Sequence, residues 1–342
     1  MALAEENHRL PSRIVTSPPE TCLVTCFKSL TYDALANVIP VPKLYQGWQD
    51  VDEFPVFAKP DRGQGSQRAR AVFSRSQLAS LLEEESDLIV CEYLPGEEYT
   101  VDCFSDREAG LLFCGGRTRK RTKSGISMNS LPVNDEAFRQ YALSISNKLD
   151  LHGAWFFQLK RDREGVLRLL EVAPRIAGTM ALHRVLGLNF PLLSIYEQER
   201  IPVEIMLNDC VVEVDRALVN RYRHNFRFRS VYVDFDDTLV FNEGVNTEVV
   251  RFLFQCINQG KRVVLLTRHE GDLQEVLSRY RLTGIFDEII KVGPESSKAD
   301  YIADREAILI DDSFSERKEV FNRTGIFSFD CSMLEILLDE RL

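Results

Sequence analysis

The 342-residue sequence has no apolar run that approaches the length of a bilayer span, which argues against a membrane-spanning helix and a membrane partner. No secretory leader is expected from its first residues. Its eight cysteines (Cys22, Cys26, Cys91, Cys103, Cys114, Cys210, Cys256 and Cys331) include no CxxC pair. Thiols scattered in this way suit neither a disulfide framework nor a zinc site, and a reduced, cytoplasmic setting is expected. The five histidines are dispersed and suggest no ligand cluster. A basic excess is missing too. The net charge of −10 argues against nucleic acid as the main partner. No internal repeat and no low-complexity tract is visible. What the chain does have is length and 44% hydrophobic residues, so two domains with separate cores are expected.

Val231-Tyr232-Val233 reads as a buried strand that runs into Asp234-Phe235-Asp236-Asp237-Thr238. Strand side chains alternate, so Asp234 and Asp236 are expected on one face at the strand's end. Hard carboxylate oxygens suit Mg²⁺. One carboxylate can attack phosphorus while the other exchanges a proton with the leaving group. An acidic turn after a strand would look the same in isolation. Further segments favour the chemical reading. Val263-Val264-Leu265-Leu266 delivers Thr267, whose hydroxyl can hold a phosphate oxygen. Ala307-Ile308-Leu309-Ile310 delivers Asp311 and Asp312, more oxygen donors. Lys298, at an expected helix start, can neutralise charge on five-coordinate phosphorus. Tips of parallel strands are where α/β sheets place ligands.

This ordered set resembles the haloacid-dehalogenase (HAD) superfamily of phosphotransferases over residues 229–342. The resemblance implies a Rossmann-like parallel-sheet domain with Asp234 as nucleophile and Asp236 as general acid/base. Thr267 and Lys298 would bind the transferring phosphoryl group. Asp311 and Asp312 would complete a Mg²⁺ site with Asp234 and the backbone carbonyl of Asp236. The gaps between Thr238, Thr267 and Lys298 hold a helix and a strand or two, with no room for a folded cap. An uncapped site is expected to need a large substrate or a neighbouring domain as lid.

The first half alternates strands and helices in an α+β manner. Phe54-Pro55-Val56-Phe57-Ala58-Lys59-Pro60 is a strand that ends in a lysine, before the glycine loop Asp61-Arg62-Gly63-Gln64-Gly65-Ser66. Exposed amides in such a loop can wrap phosphates, although most glycine loops are plain turns. Strands are expected at 88–94, 98–102 and 111–116, and a helix at 135–150. A hairpin then joins 154–160 to 166–172 through a polar loop that ends in Gly165.

These pieces in this order resemble the ATP-grasp superfamily, nearest its carbamoyl-phosphate-synthetase-like branch, over residues 22–207. The resemblance implies ATP and Mg²⁺ as cofactors. Lys59, and less firmly Lys28, would contact phosphates, with Gly63, Gly65 and Ser66 in the closing loop. Glu92 with the backbone of Tyr93 and Leu94 would read adenine, and Glu98 would hold the ribose. Gln158 and Glu171 would ligate Mg²⁺, and Arg175 would stabilise the transferring phosphate. Two departures stand out. Ala173 occupies a place where the family usually has a metal-binding Asn. Only residues 1–21 precede the match, where the family usually has an N-terminal subdomain, and three alternatives follow: a partner chain or homo-oligomer that supplies it, a shortened fold, or loss of ligase function.

Residues 208–228 are expected as connecting strands. The basic cluster Arg117-Thr118-Arg119-Lys120-Arg121-Thr122-Lys123, followed by Ser124 and Gly125, is expected as a loop, either clamping an anionic substrate or simply solvated. The resemblances together imply a bifunctional α/β enzyme. An ATP-dependent ligase would join a small-molecule carboxylate to an amine, and an uncapped phosphatase would act on a phosphorylated metabolite. The alternatives are a phosphatase with a nucleotide-sensing ATP-grasp module, or a subunit of a larger ligase.

Overall fold

A computed structural model describes residues 13–63, 65–123, 125–217 and 220–339. Most of the expected N-terminal extension, Gln64 of the glycine loop and Ser124 therefore lie outside the described residues. The chain forms two compact units. The first comprises Met1–Leu182, Asn189–Ile205 and Glu213–Arg221, and the second His183–Leu188, Met206–Val212 and Tyr222–Leu342.

The first unit opens with helices Pro19–Cys26 and Lys28–Leu35. Strands β1 (Leu44–Tyr45), β2 (Val56–Pro60), β3 (Arg70–Val72) and β4 (Leu88–Glu92) form an antiparallel sheet in the order β1-β4-β2-β3. Helix Arg75–Glu84 is started by Ser74, whose side chain accepts the Gln77 N–H. The helix buries Leu78 and Leu81 among Val56, Ala58, Val72 and Val90. That core fixes β2, and with it the lysine at its end.

The larger sheet contains β5 (Glu98–Asp106), β6 (Gly110–Thr118), β9 (Pro132–Val133), β10 (Gly153–Arg161) and β11 (Leu167–Ala173), in the order β11-β10-β5-β6-β9. Helix Glu136–Lys148, capped by Asp135, presents Phe138, Ala142 and Ile145 at helical spacing to this sheet. Strands β7 (Arg121–Lys123), β8 (Ile126–Ser130), β12 (Val212–Arg216) and β13 (Asn220–His224) form a further sheet.

The basic cluster corrects the expectation of a loop. Arg117 lies within β6 and Arg121 within β7. Arg117 is only 1% exposed and donates to both Asp102 oxygens, from Nε at 2.7 Å and Nη2 at 3.0 Å. A high density of charge marks a solvated loop only where no strand pairing buries it, and here β5 and β6 pair.

The second unit is a parallel sheet of β14 (Ser230–Val233), β17 (Arg262–Thr267), β18 (Glu288–Lys291), β19 (Ala307–Ile310) and β20 (Phe327–Phe329). A small hairpin of β15 (Val240–Phe241) and β16 (Gly244–Val245) stands beside it. The order β18-β17-β14-β19-β20 reverses direction at β14, with every pairing parallel. Each central strand is apolar on both faces. Val231, Val233, Leu265 and Ile308 enter one core, while Tyr232, Val264, Leu266 and Leu309 enter the other. The first of these cores also takes Val185, Leu186, Val212 and Phe226, from upstream of residue 229.

Candidate functional site

In the first unit, β2 and β4 meet the β10–β11 hairpin around a pocket of about 150 Å³. Lys28 and Lys59 line it on one side, with Gly63, Gly65 and Ser66 of the glycine loop. Glu92, Leu94 and Glu98 line it from β4, the following segment and the start of β5; Tyr93 is not among the lining residues. Gln158 and Glu171 face the same space, and they are direct partners in the β10–β11 register. An amide and a carboxylate oxygen side by side form a hard-oxygen pair that fits Mg²⁺ together with phosphates.

Lys59 is buried, and its Nζ donates to the Tyr32 hydroxyl at 2.7 Å. Lys28 donates to the Pro60 and Asp61 carbonyls at 3.0 and 3.2 Å, so two cations bracket the base of the glycine loop. Burial, followed by the charge of Lys59, lowers the Lys28 pKa from its ordinary value. Gly125, at φ 71°, lies so close to Gly65 and Ser66 that a Cβ there would collide with them. Glu98 Oε1 lies 2.7 Å from Arg119 Nε. Arg119 also donates from Nη2 to the Gly125 carbonyl at 2.7 Å.

A second cavity of about 690 Å³ adjoins this pocket and shares Arg119, Gln158 and Glu171 with it. Arg175 lines this second cavity, and its guanidinium stacks over Phe156 at 5.0 Å. Arg216, at the end of β12, reaches the same space. Sequence reasoning missed Arg119 as a partner of Glu98, and also Lys160, which lines the first pocket, and Arg216. Arg216 carries no local signal, because only the pairing of β12 with β8 brings it there.

In the second unit, Asp234 follows β14 and Asp311 follows β19, where the strand order reverses. A parallel sheet presents ligands at such a point. Lys298 Nζ donates to Asp234 Oδ1 at 2.7 Å and to Asp311 Oδ2 at 2.6 Å. All three side chains are buried. Asp234, Asp311 and Asp312 each place a carboxylate oxygen within 4.8 Å of the others. The ammonium already held between two of them shows that the cluster accommodates a cation, and an all-oxygen set fits Mg²⁺. Burial, then the nearby Asp311, pushes the Asp234 carboxyl up to about 7 against the pull of Lys298. Burial also raises Asp311.

The expectation that Asp234 and Asp236 share a face needs correction. The strand ends at Val233, and Asp237 takes a φ of 56°, so the alternation stops before Asp236. Asp234 is 7% exposed, whereas Asp236 is exposed and its carboxylate lies 3.0 Å from His269 Nδ1. His269 was not foreseen, although it stands only two residues after Thr267. Thr267 is buried, and its Oγ1 accepts the His269 N–H at 3.0 Å. Lys298 opens a 3₁₀ turn capped by Ser297. Asp312 accepts from Thr238 Oγ1 at 3.0 Å, and Arg317 donates to the carbonyls of Asp311 and Asp312.

A family model described as ATP-grasp in the biosynthetic pathway with Ter operon matches residues 84–217. Among solved structures, the biotin carboxylase–βγ-ATP complex of Campylobacter jejuni is similar, with a TM-score of 0.56 and 15% identity over 63% of this chain and 56% of that one. The chain has a mixed α/β fold similar to that of ATP-grasp proteins. The biotin carboxylase domain dimer of Hydrogenobacter thermophilus 2-oxoglutarate carboxylase, complexed with MgADP, ADP and bicarbonate, has a TM-score of 0.54. Its identity is 14% over 63% of this chain and 56% of that one. N5-carboxyaminoimidazole synthetase of Staphylococcus aureus, complexed with ADP, has a TM-score of 0.53 and 12% identity over 63% of this chain and 62% of that one. Likeness at such identities concerns the fold alone, and the chain spans little more than half the length of these proteins. No curated protein matches the sequence. The ATP-grasp assignment thus has support from the family model and the structures, which do not show a HAD domain.

Proposed function

We propose that the chain is a bifunctional enzyme, an ATP-dependent carboxylate–amine ligase joined to a phosphomonoester phosphatase of the HAD type. The observation that carries the ligase reading is the in-register pair Gln158 and Glu171, beside Lys28, Lys59 and the glycine loop. ATP or ADP in the related complexes, with magnesium in one of them, supports the choice of nucleotide and metal.

A substrate carboxylate oxygen attacks the γ-phosphorus of ATP, the bond to the β-phosphate oxygen breaks, and ADP leaves. An amine then attacks the acyl carbon, phosphate departs, and the amine proton passes to solvent. Lys28, Lys59 and the loop amides of Gly63, Gly65 and Ser66 hold the phosphates. Glu92, with the backbone of Tyr93 and Leu94, reads adenine, and Glu98 reads the ribose. Arg175 stabilises charge on the transferring group. Mg²⁺ held by Gln158 and Glu171 would screen the phosphate charge.

In the second unit Asp234 attacks phosphorus, and the departing alcohol takes a proton from Asp236. Water activated by Asp236 then releases phosphate from the aspartyl-phosphate. Thr267 and Lys298 hold the phosphoryl oxygens. Mg²⁺ held by Asp234, Asp311, Asp312 and the Asp236 carbonyl would neutralise their charge. The Lys298 bridge between Asp234 and Asp311 supports this reading.

One observation favours a second reading. Ala173 stands at the end of β11, where the resembled pattern has a metal ligand, which suits a nucleotide sensor or a subunit of a larger ligase. Screening carboxylates and amines for ADP release by the purified chain separates the two. ADP that requires both reactants supports the ligase, and tight ATP binding without turnover supports the sensor. The family description suggests a biosynthetic setting for either activity.

A further inference from the structure

The cavity beside the nucleotide pocket is richer in cations than activation of one carboxylate requires. Arg117, Arg119, Arg175 and Arg216 line it, and Glu171 is the single acidic residue among the described residues that do. Arg119 is engaged with Glu98 and the Gly125 carbonyl. Arg117 differs. Its Nε and Nη2 are used on Asp102, while Nη1, on a side chain that is 1% exposed, has no hydrogen-bond partner among the described residues. A buried guanidinium donor left unpaired is costly, so a donor on a cavity wall points to an acceptor that arrives with a ligand.

A separate feature leads to the same place. Arg216 enters the cavity past Gly178, and a Cβ on Gly178 would collide with Arg216 Nη1. The glycine leaves room for that guanidinium. Ser127 and Thr179, both buried, add hydroxyls to the wall. The cavity volume of about 690 Å³ exceeds what a small monoanionic acid would fill.

We propose that the acid bound here carries a second anionic group, a carboxylate or a phosphate, held by Arg117 Nη1 and Arg216. Its reacting carboxylate lies toward the nucleotide beside Arg175. Arg117 and Arg216 then act as specificity residues, since the planar Arg216 guanidinium can grip a carboxylate or phosphate bidentately and Arg117 Nη1 adds a charged donor. This inference rests on the ligase reading for its role, but the anion site is testable without turnover.

The test is calorimetric titration of the full chain, in saturating ADP and Mg²⁺ at fixed ionic strength, with acetate, succinate and phosphoglycolate. Succinate or phosphoglycolate should bind at least about tenfold more tightly than acetate. Tighter binding of succinate identifies a dicarboxylate as the ligand, and the reverse identifies a phosphorylated acid. Arg216→Gln should abolish the preference. Arg117→Lys, which keeps a cation beside Asp102 and the fold with it, should reduce the preference. Equal affinity for all three probes, or a preference that survives both substitutions, overturns the proposal. ADP release reports on the ligase separately. A chain that prefers dianions without turning over ATP keeps the anion site and loses the ligase. One that turns over monoanionic acids as well as dianions, with equal affinity for both, keeps the ligase and loses the site.

Discussion

Replacing Lys298 with methionine removes a buried charge at little cost in volume. Its Nζ donates to Asp234 and Asp311 at 2.7 and 2.6 Å, and its side chain is 3% exposed. Deleting one partner of a buried ion pair costs about 3–5 kcal/mol, a large share of a stability that totals roughly 5–15 kcal/mol. Proton uptake by Asp234 limits the loss, because its carboxyl already stands at about 7. Across about pH 4 to 7 the folded wild type keeps a proton that the unfolded chain has released. This group's contribution to stability therefore falls as pH rises through that window. In the variant, Asp234, Asp311 and Asp312 keep their oxygens within 4.8 Å and lack the ammonium. Mg²⁺ at a hundred times its dissociation constant should then restore about 2.7 kcal/mol. Urea denaturation in EDTA and in a Mg²⁺ series, at pH 6 and 8, measures each term. A loss below about 1 kcal/mol, or a stability that ignores Mg²⁺ in both proteins, would refute the reasoning.

Glu171→Gln should collapse ADP formation and leave hydrolysis of a generic phosphate ester intact; ADP production at the wild-type rate would remove the hairpin from the nucleotide site. Asp234→Asn should abolish Mg²⁺-dependent ester hydrolysis without weakening ATP binding, and retention of a tenth of the activity would sink the nucleophile assignment. Arg117→Met should cost about 3–5 kcal/mol by stripping the guanidinium from buried Asp102, and adding Asp102→Leu should recover much of it; equal losses in both proteins would contradict that account. A fragment that begins at Phe228 leaves out Val185, Leu186, Val212 and Phe226 of the second core. At roughly 1.5–3 kcal/mol for each buried side chain, it should unfold at much lower urea than a fragment that begins at His183. Matching midpoints would show that those side chains contribute little.

The strand tips of the second unit were legible because their signal is local. An apolar run of three or four residues sets the strand, and the residue after it sets the chemistry, as for Thr267, Asp311 and Asp234. Asp236 was misplaced because a period-two argument fails once the chain leaves the strand. The hairpin that carries Gln158 and Glu171 was legible for the same local reason, but their pairing was not, because the register shifts between Gln158 and Leu159 and the loop alone would set Gln158 opposite Leu170. Arg117 was not, because its partner Asp102 comes from the neighbouring strand β5 and pairing alone decides burial. Arg216 lies beyond local reasoning altogether. It reaches the cavity only because β12 pairs with β8 and Gly178 gives it room.

The central claim is that a substrate carboxylate attacks ATP in the first unit, and isotope transfer tests it most directly. The assay uses the Asp234→Asn variant, so that the second unit adds no phosphate, with a carboxylate labelled by ¹⁸O at both oxygens and an amine that supports ADP release. Attack by the carboxylate predicts that each phosphate released carries one ¹⁸O from the acid. Unlabelled phosphate formed in step with ADP would show that water attacks ATP instead, and would contradict the ligase.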